Sequence, residues 1–167
     1  TPSKALPCVE YDISSVAGMG QDYHAESFHS HTDYNKDTVE ALLKSDIMRK
    51  DGVSIVALDD GGNIEVPMRI SQDDGDIIGI TIGLAHPSWY GSGIDSGNLC
   101  HYVRKEHRGS HAAILMLSMY EQEMAKKGVV DLKLDINSGI KMDRGCKFMK
   151  GMGFESAGYK FTKTIGV

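Results

Sequence analysis

The spacing of hydrophobic and polar residues in the first third of the chain predicts one strand followed by two helices. Ala5–Ser14 partly alternates between apolar and polar residues, which is typical of a strand, whereas Val16–His31 has helical spacing. Asp37 is followed three residues later by Glu40, the capping-box pattern of a helix N-terminus. We therefore expect a helix with Asp37 as its N-cap that ends at Asp51–Gly52.

The middle of the chain predicts strands joined by turns. Val53–Asp60 and Ile77–Ala85 are apolar runs rich in β-branched residues, and the second is expected to be a central strand. Ile64–Ile70 predicts a short edge strand because it contains a proline. His86–Gly97 predicts a loop of 12 residues, long enough to carry function, and Asn98–Arg104 predicts the next strand.

The last third predicts helices that alternate with strands. A helix begins at Ala112 and stops before Gly128, a residue that suits the position after a helix C-terminus. Val129–Asn137 alternates strongly and predicts a strand, Asp143–Lys150 predicts a short helix, and Phe154–Ile165 predicts a last strand or hairpin. Because helices and strands alternate, part of the sheet should be parallel. The predicted fold class is mixed α/β, in a single domain spanning residues 1–167.

Length and composition are those of an ordinary soluble globular domain. The chain has 167 residues, of which 41% are hydrophobic and 25% are charged. It contains no apolar run long enough to span a membrane and no signal-peptide pattern at its N-terminus. Cys8, Cys100 and Cys146 are odd in number and lack zinc-binding spacing, so we expect reduced thiols and a cytoplasmic protein.

The formal net charge of −5 narrows the classes of partner. A dedicated nucleic-acid binder usually has a basic face, so the acidic balance argues against one and favours cationic ligands. His24, His29 and His31 lie near Asp33, but their spacing fits no standard set of ligands, so no metal site is expected.

The junction between strand Asn98–Arg104 and the following helix is the most informative stretch. The first N–H groups of a helix lack internal partners and carry partial positive charge, which suits them to bind an anion. Gly109, Ser110, Ala112 and Ala113 are small enough to let a diphosphate approach these groups, and the preceding residues are basic. A capped helix beside a solvated charge cluster would explain the same residues, and both interpretations stay open at this point.

The junction resembles motif A of the GCN5-related N-acetyltransferases, whose loop reads Arg/Gln-x-x-Gly-x-Gly/Ala. Here Arg108 and the small Ala113 match, and His111 stands where the central glycine is usual. Val103 precedes Arg108 by five residues, the family's usual distance from strand end to loop. The resemblance covers most of the chain and is specific in its second half. Tyr23–Ser27 is also similar to acetyltransferase-like proteins encoded by bacteriophages.

The segment Phe148–Phe154, FMKGMGF, resembles motif B of the same family, typically aromatic-x-x-x-Gly-Phe. Many members have a tyrosine in this motif that protonates the departing thiolate, and Met149, which cannot donate a proton, occupies that position here. Tyr159 or a water molecule could take the role. Asn137 lies farther before Gly153 than the corresponding asparagine of common members, which implies an insertion or a different use of Asn137.

The resemblance also implies an architecture and a co-substrate. The sheet would be mostly antiparallel and flanked by helices, with Leu99–Val103 and Asp131–Asn137 as a splayed parallel pair. Acetyl-CoA would place its pantetheine arm between these strands and its diphosphate at the helix mouth. The residues implied to hold it are His101, Tyr102, Val103, Arg108, Gly109, Ser110, His111, Ala112, Ala113 and Asn137.

Acetyl transfer to an amine also needs a proton acceptor and a binding site for the amine. Glu26 and His101 could each accept the proton, although a solvated helix carboxylate and a half-buried histidine are simpler explanations for them. The loop that contains Asp95 is expected to form a wall of the acceptor pocket. The expected acceptor-binding residues are Tyr23, His24, Glu26, His86, Trp89 and Tyr90.

The function expected from these features is transfer of an acetyl group from acetyl-CoA to a small-molecule or peptide amine, by a protein that could form a homodimer. The alternative is a protein of the same fold that binds other molecules or has a structural role and has lost catalysis, because Met149 replaces the usual acid. The sequence does not identify the amine.

Overall fold

A four-stranded sheet with helices packed on both faces forms the described part of the chain. The computed structural model describes residues 10–60, 63–65, 76–135 and 142–166. The elements in chain order are α1 (Glu10–Glu26), a 3₁₀ turn (Phe28–His31), α2 (Lys36–Lys44), α3 (Asp46–Asp51), β1 (Gly52–Asp60), β2 (Asn63–Glu65), β3 (Asp76–Pro87), β4 (Ile94–Val103), a 3₁₀ turn (Lys105–His107), α4 (Ala112–Lys126) and α5 (Met142–Gly151).

The sheet has the strand order β2-β1-β3-β4, and its three strand pairs are antiparallel. The predicted central strand is confirmed as β3, which lies between β1 and β4. β3 and β4 pair Ile82 with Cys100 and then Gly83 with Asn98, so Leu99 is an extra residue that makes a β-bulge. Within the described residues, the outer edge of β4 is therefore the edge of the sheet.

The strand predicted for Val129–Asn137 is not formed over Val129–Asp135, and residues 136 and 137 lie outside the described residues. Val129 makes a single parallel bridge with Ile94. Beyond it, the Ser96 hydroxyl donates to the Asp131 carbonyl at 3.3 Å and accepts from the Lys133 N–H at 3.0 Å. A side chain thus replaces the strand ladder. The alternating pattern was correct about burial, because Leu132 and Leu134 pack on the core, but burial does not require strand pairing.

The first predicted strand is also corrected. Residues 10–14 belong to α1, whereas Ala5–Val9 lies outside the described residues. Ile13, Val16 and Met19 are buried on one face of this helix. A short run of mixed apolar and polar residues fits a strand or the start of a helix, and packing of this face against the sheet decides between them here.

The predicted helix between Asp37 and Asp51 is two helices. Asn35, not Asp37, is the N-cap of α2, and its side-chain oxygen accepts from the Thr38 N–H at 3.0 Å. Ser45 has an extended backbone and caps α3 by accepting from the Met48 N–H at 3.3 Å. Serine competes for backbone hydrogen bonds in this way, which interrupts a helix that the apolar spacing alone would continue. The predicted end at Asp51–Gly52 is confirmed.

Two further boundaries differ from the prediction. β3 continues to Pro87 and β4 begins at Ile94, so the long loop is reduced to residues 88–93. Residues 154–166 form no strand, and the large side chains of Tyr159, Phe161 and Ile165 are each about nine-tenths exposed. Alternation predicted a strand there, but a strand forms only where a neighbouring segment offers backbone partners.

The core consists of one apolar cluster on each face of the sheet. Helices α1, α2 and α3 cover one face, together with Tyr102 of β4. Helix α4 covers the other face through a buried stripe at Ala112, Met116, Tyr120 and Met124. The predicted helix from Ala112 with a terminating Gly128 is confirmed, since Gly128 has a φ of +89°. The stripe places the N-terminus of α4 beside the end of β4.

We expect Gly83→Ala to destabilise the protein because α4 packs closely on the sheet. A Cβ at Gly83 would overlap the Tyr120 hydroxyl oxygen and lie 2.7 Å from the Gly97 carbonyl oxygen. Overpacking of this kind costs about 1–3 kcal/mol, which urea unfolding would measure. Gly93→Ala is the matched control, since its Cβ would meet no atom within 4 Å. Equal stabilities of the two variants would contradict this packing of Tyr120.

Candidate functional site

A cavity of about 590 Å³ lies between the edge of β4, the mouth of α4 and helix α5. Its volume is in the range of small-molecule sites. We call it the central cavity. The residues that line it are Tyr23, Asn98, Leu99, Cys100, His101, Tyr102, Val103, His107, Arg108, Gly109, Ser110, Ala113, Asp135, Arg144, Gly145, Lys147, Phe148 and Met149.

The outer edge of β4 forms one wall and presents main-chain groups to the central cavity. The Arg104 N–H donates to the Ile78 carbonyl at 2.8 Å across the sheet. Because the direction of these groups alternates along an antiparallel strand, Tyr102 also points its main chain at β3, whereas His101 and Val103 point theirs outward. The Asn98 side chain donates to the carbonyls on both sides of the bulge, at 3.2 and 3.3 Å, which fixes the local shape of this wall.

The N-terminus of α4 forms the second wall. Gly109 has a φ of +87°, a left-handed conformation that favours glycine, and a Cβ there would meet no atom within 4 Å. The Ser110 hydroxyl donates to the His107 carbonyl at 2.5 Å and accepts from the Ala112 N–H at 3.3 Å. His111 is exposed and makes no side-chain capping bond. Its imidazole therefore does not cap the first N–H groups of the helix.

Helix α5 forms the third wall, and sequence reasoning missed most of it. Arg144, Lys147 and Phe148 all line the central cavity. Their spacing of three and four residues places them on one face of a helix, and that spacing is the signal that could have identified them. Met149 lines the cavity as well, in the position where the motif resemblance implied a proton donor. This wall supplies cationic and apolar side chains.

Arg108 is held by three groups at the junction between β4 and α4. Its Nη2 forms an ion pair with Glu26 Oε2 at 2.5 Å, and its Nε donates to the Val103 carbonyl at 3.0 Å. Its guanidinium also lies 5.4 Å from the centre of the Tyr102 ring. The Tyr102 hydroxyl in turn donates to Glu26 Oε1 at 3.1 Å. Glu26 therefore contacts two residues that line the central cavity but does not line it itself.

The electrostatics of this cluster keep Glu26 ionised. Burial raises the pKa of Glu26, but the hydrogen bond and charge of Arg108, the hydrogen bond from Tyr102 and the charge of Lys105 together lower it. Burial and the neighbouring Glu26 carboxylate raise the pKa of the Tyr102 hydroxyl to about 12. The carboxylate and the phenol thus stay in complementary protonation states at neutral pH.

His101 lies on the α4 face of β4 and lines the central cavity. Its Nδ1 is 2.8 Å from the Thr81 hydroxyl oxygen, which leaves Nε2 as the other hydrogen-bonding atom of the ring. Burial lowers the pKa of His101 to about 4, so the imidazole is neutral at physiological pH. Cys100 and Tyr102 pack on the α1 face instead, so they point away from the His101 side of the strand.

Two protonated groups lie on the α1 side of the central cavity. Burial raises the pKa of the Cys100 thiol to about 12. Burial, with a smaller contribution from Cys100, also raises the pKa of the Tyr23 hydroxyl. The Tyr23 ring stacks edge-on against Tyr102 with 5.7 Å between ring centres. Tyr23 thus places a hydroxyl donor in the central cavity, whereas Met149 offers no donor.

The structure brings together most of the residues predicted to hold the co-substrate, and few of those predicted for the acceptor. His111 and Ala112 are not among the lining residues of the central cavity, and Asn137 lies outside the described residues. Of the acceptor set, Tyr23 lines it. The other five residues do not line it. His24 bonds to Thr32, and Glu26 is paired with Arg108. The remaining three lie at the β3–β4 hairpin: His86, Trp89 and Tyr90.

Tyr159, the predicted substitute acid, is about nine-tenths exposed and does not line the central cavity. Its role in proton transfer stays a prediction.

In the ranges 10–60, 63–65, 76–135 and 142–166, no three His, Cys, Asp or Glu side chains are grouped as a metal site would need. No helix of these same ranges has the length and apolar character of a membrane span.

The neutral state of His101 predicts a pH dependence of stability. Its pKa is about 4 in the folded protein, against about 6.5 in an unfolded chain. The unfolded state therefore binds more protons between these values, so stability falls as the pH is lowered from 6.5 towards 4. His101→Asn can keep the Thr81 bond but has no imidazole to protonate. Its melting temperature should therefore fall less than that of the wild type between pH 6.5 and pH 4. Equal losses would contradict a neutral, buried imidazole.

Comparison with known proteins supports the fold. No known protein-family description and no curated protein matches this sequence. Among solved structures, a ribosomal-protein-alanine N-acetyltransferase from Brucella melitensis biovar Abortus 2308 is similar, with a TM-score of 0.66, 15% identity and coverage of 95% of this chain and 94% of that one. An acetyltransferase from Trypanosoma brucei has a TM-score of 0.64, 14% identity and coverage of 94% and 95%.

A third similar structure is an aminoglycoside acetyltransferase from an uncultured soil metagenomic sample, solved in complex with sisomicin. It has a TM-score of 0.59, 11% identity and coverage of 95% of this chain and 93% of that one. These identities are too low to carry over an activity, but the similarity spans nearly the whole of each chain. The mixed α/β fold of this protein, with its antiparallel sheet and flanking helices, is that of acetyltransferases.

Proposed function

We propose that this protein is an N-acetyltransferase that uses acetyl-CoA as co-substrate and binds it in the central cavity. The observation that carries the proposal is that one cavity joins the outward main chain of β4 to the N-terminus of α4. An extended amide-containing arm can pair with a strand edge, and a diphosphate can bind at a helix N-terminus. Acetyl-CoA contains both groups in one molecule.

The residues at the mouth of α4 fit a diphosphate. Gly109, Ser110 and Ala113 line the central cavity and have no large side chain to keep an anion away from the main chain. Arg144 and Lys147 add positive charge from α5. Arg108 is less suited to direct contact with phosphate, because its guanidinium is already bonded to Glu26 and Val103.

The proposed gap for the co-substrate lies between β4 and the segment Val129–Asp135, which is not a strand. The two lie close together at Ile94 and Ser96, where the bridge and the serine bonds join them. Farther along, the central cavity lies between Asn98–Val103 and Asp135. We propose that the pantetheine arm lies in this gap and pairs with the outward groups of His101 and Val103.

The reaction forms a bond between the acceptor nitrogen and the thioester carbonyl carbon, breaks the bond from that carbon to sulfur, and moves one proton from nitrogen to the thiolate. His101 is the proposed proton acceptor, directly or through water, since Nε2 is the ring atom not bonded to Thr81. The Tyr23 hydroxyl, which the raised pKa keeps protonated, can donate a proton to the departing thiolate, a role that Met149 cannot take. The proton held by His101 then returns to the Tyr23 phenolate through water, so that one proton moves in total.

The proposed acceptor is a cationic small molecule that carries a primary amine. The net charge of −5 favours cations, and one structural neighbour was solved with sisomicin.

A second candidate function is binding without turnover, which is favoured by Met149 because it lines the central cavity and cannot donate a proton. Release of free CoA with an amine present would distinguish an enzyme from a binding protein that shows affinity alone.

A pair of substitutions in the first turn of α4 tests the proposal. Ala113→Asp places a carboxylate at the wall of the central cavity, whereas Ile114→Asp, the matched control, places one at an adjacent exposed position that does not line it. Both charges suit a helix N-terminus, so neither should unfold the protein. We expect Ala113→Asp to weaken acetyl-CoA binding at least 100-fold and Ile114→Asp less than 5-fold, with titration calorimetry as the measurement.

Thermal stability gives a second measure of the same binding. Acetyl-CoA at 100 times the wild-type dissociation constant should stabilise the wild type by about 2.7 kcal/mol and Ile114→Asp by at least about 1.8 kcal/mol. The same concentration should stabilise Ala113→Asp by no more than about 0.4 kcal/mol. Equal binding by both variants would place the anion site elsewhere. A wild-type protein that does not bind acetyl-CoA would overturn the proposed function.

A further inference from the structure

The Arg108 side chain is used inside the protein rather than at the wall that faces a ligand. Its Nη2 is bonded to Glu26 and its Nε to the Val103 carbonyl, and its central carbon lies over the Tyr102 ring, 5.4 Å from the ring centre. Its side chain is only 23% exposed, and that of Glu26 only 29%. A group held from three directions has little freedom to rearrange around an arriving phosphate.

The bond to the Val103 carbonyl has a consequence for ligand pairing. Val103 is the last residue of β4, and its carbonyl is the last acceptor on the outer edge of the strand. Arg108 already donates to that acceptor, so an extended ligand finds unshared main-chain groups at His101 and at the Val103 N–H but must compete with Arg108 for the carbonyl beyond them. This competition favours a ligand that leaves the strand at Val103, where the chain turns towards the mouth of α4.

Glu26 in turn fixes Arg108. One carboxylate oxygen accepts from Arg108 and the other accepts from the Tyr102 hydroxyl, so both oxygens are already bonded. Glu26 ends α1, and Arg108 lies in the loop before α4, so this ion pair joins elements on opposite faces of the sheet. A carboxylate engaged in this way is a poor proton acceptor for a substrate in the central cavity, which it does not line.

We propose that Glu26 and Arg108 are positioning residues that set where acetyl-CoA stops pairing with β4 and turns into the α4 mouth. This role rests on the proposed function, because it concerns the placement of that co-substrate. Glu26 acts through Arg108, and Arg108 acts by occupying the Val103 carbonyl. The Glu26–Arg108 pair therefore aligns the thioester with His101 and takes no proton in the reaction.

The test compares Glu26→Gln, Arg108→Lys and the double variant in steady-state kinetics with acetyl-CoA and an amine acceptor. Lysine keeps the charge but cannot bond Glu26 and Val103 through a rigid fork. We expect each single variant to raise the KM for acetyl-CoA about 10-fold and to lower kcat by a factor of three or more. The double variant should be no worse than either single one, because both remove the same contact. The pH profile of kcat should keep the shape of the wild type.

Asp22→Asn is the matched control. Asp22 lies one turn earlier on α1 and forms an exposed ion pair with Arg104 at 2.9 Å, so this variant breaks a bridge between the same two regions without touching Arg108. Its KM and kcat should stay within twofold of wild type. Circular dichroism and melting temperature of all four variants would show whether a kinetic loss comes from unfolding.

Several results would overturn the positioning role. Glu26→Gln with a normal KM, a 100-fold lower kcat and a lost limb of the pH profile would identify Glu26 as the base. Arg108→Lys with wild-type KM and kcat would show that the Val103 bond is dispensable, and strictly additive losses in the double variant would show that the residues act separately. A wild-type protein without acetyl-CoA binding would instead overturn the proposed function, a distinct outcome.

Discussion

The open outer edge of β4 is the constraint on which the rest of the site depends. The segment after α4 approaches β4 at Ile94 and is then held by the Ser96 hydroxyl rather than by a strand ladder. Had Val129–Asp135 paired with β4 along its length, the main-chain groups of His101 and Val103 would have been used within the sheet. Because the ladder stops, His101 and Val103 line the central cavity, and the bulge residue Leu99 lines it as well.

The charges around the central cavity are divided between two tasks. Arg108 and Glu26 neutralise each other at the end of β4, and their contacts hold the strand edge and the loop in one arrangement. Arg144 and Lys147 approach from α5 and carry the positive charge proposed to meet an anion. With Arg108 engaged in this way, the proposed anion site consists of main-chain amides at the N-terminus of α4 and the two cations of α5.

Sequence patterns predicted the parts of the fold that depend on local spacing. Helices α4 and α5 follow from local spacing, and β1 and β3 follow from apolar runs rich in β-branched residues. The strand-to-helix junction follows from small residues beside basic ones. The strand at Val129–Asn137 was wrong over its described part because alternation reports which side chains are buried, not whether the backbone finds a partner. The role of Ser45 was missed because a capping serine resembles any other polar residue inside a helical pattern.

The site was predicted unevenly for the same reason. Residues near one another in sequence, from His101 to Ala113, could be assigned to one ligand, and most of them line one cavity. Long-range contacts such as Glu26 with Arg108 leave no trace in local spacing.

Hydrogen–deuterium exchange with and without acetyl-CoA tests directly whether the open edge of β4 and the mouth of α4 bind the co-substrate. We expect slower exchange of the His101, Val103, Gly109, His111 and Ala113 amides when the co-substrate is added. Unchanged exchange at these amides, or protection only at residues 88–93, would contradict it.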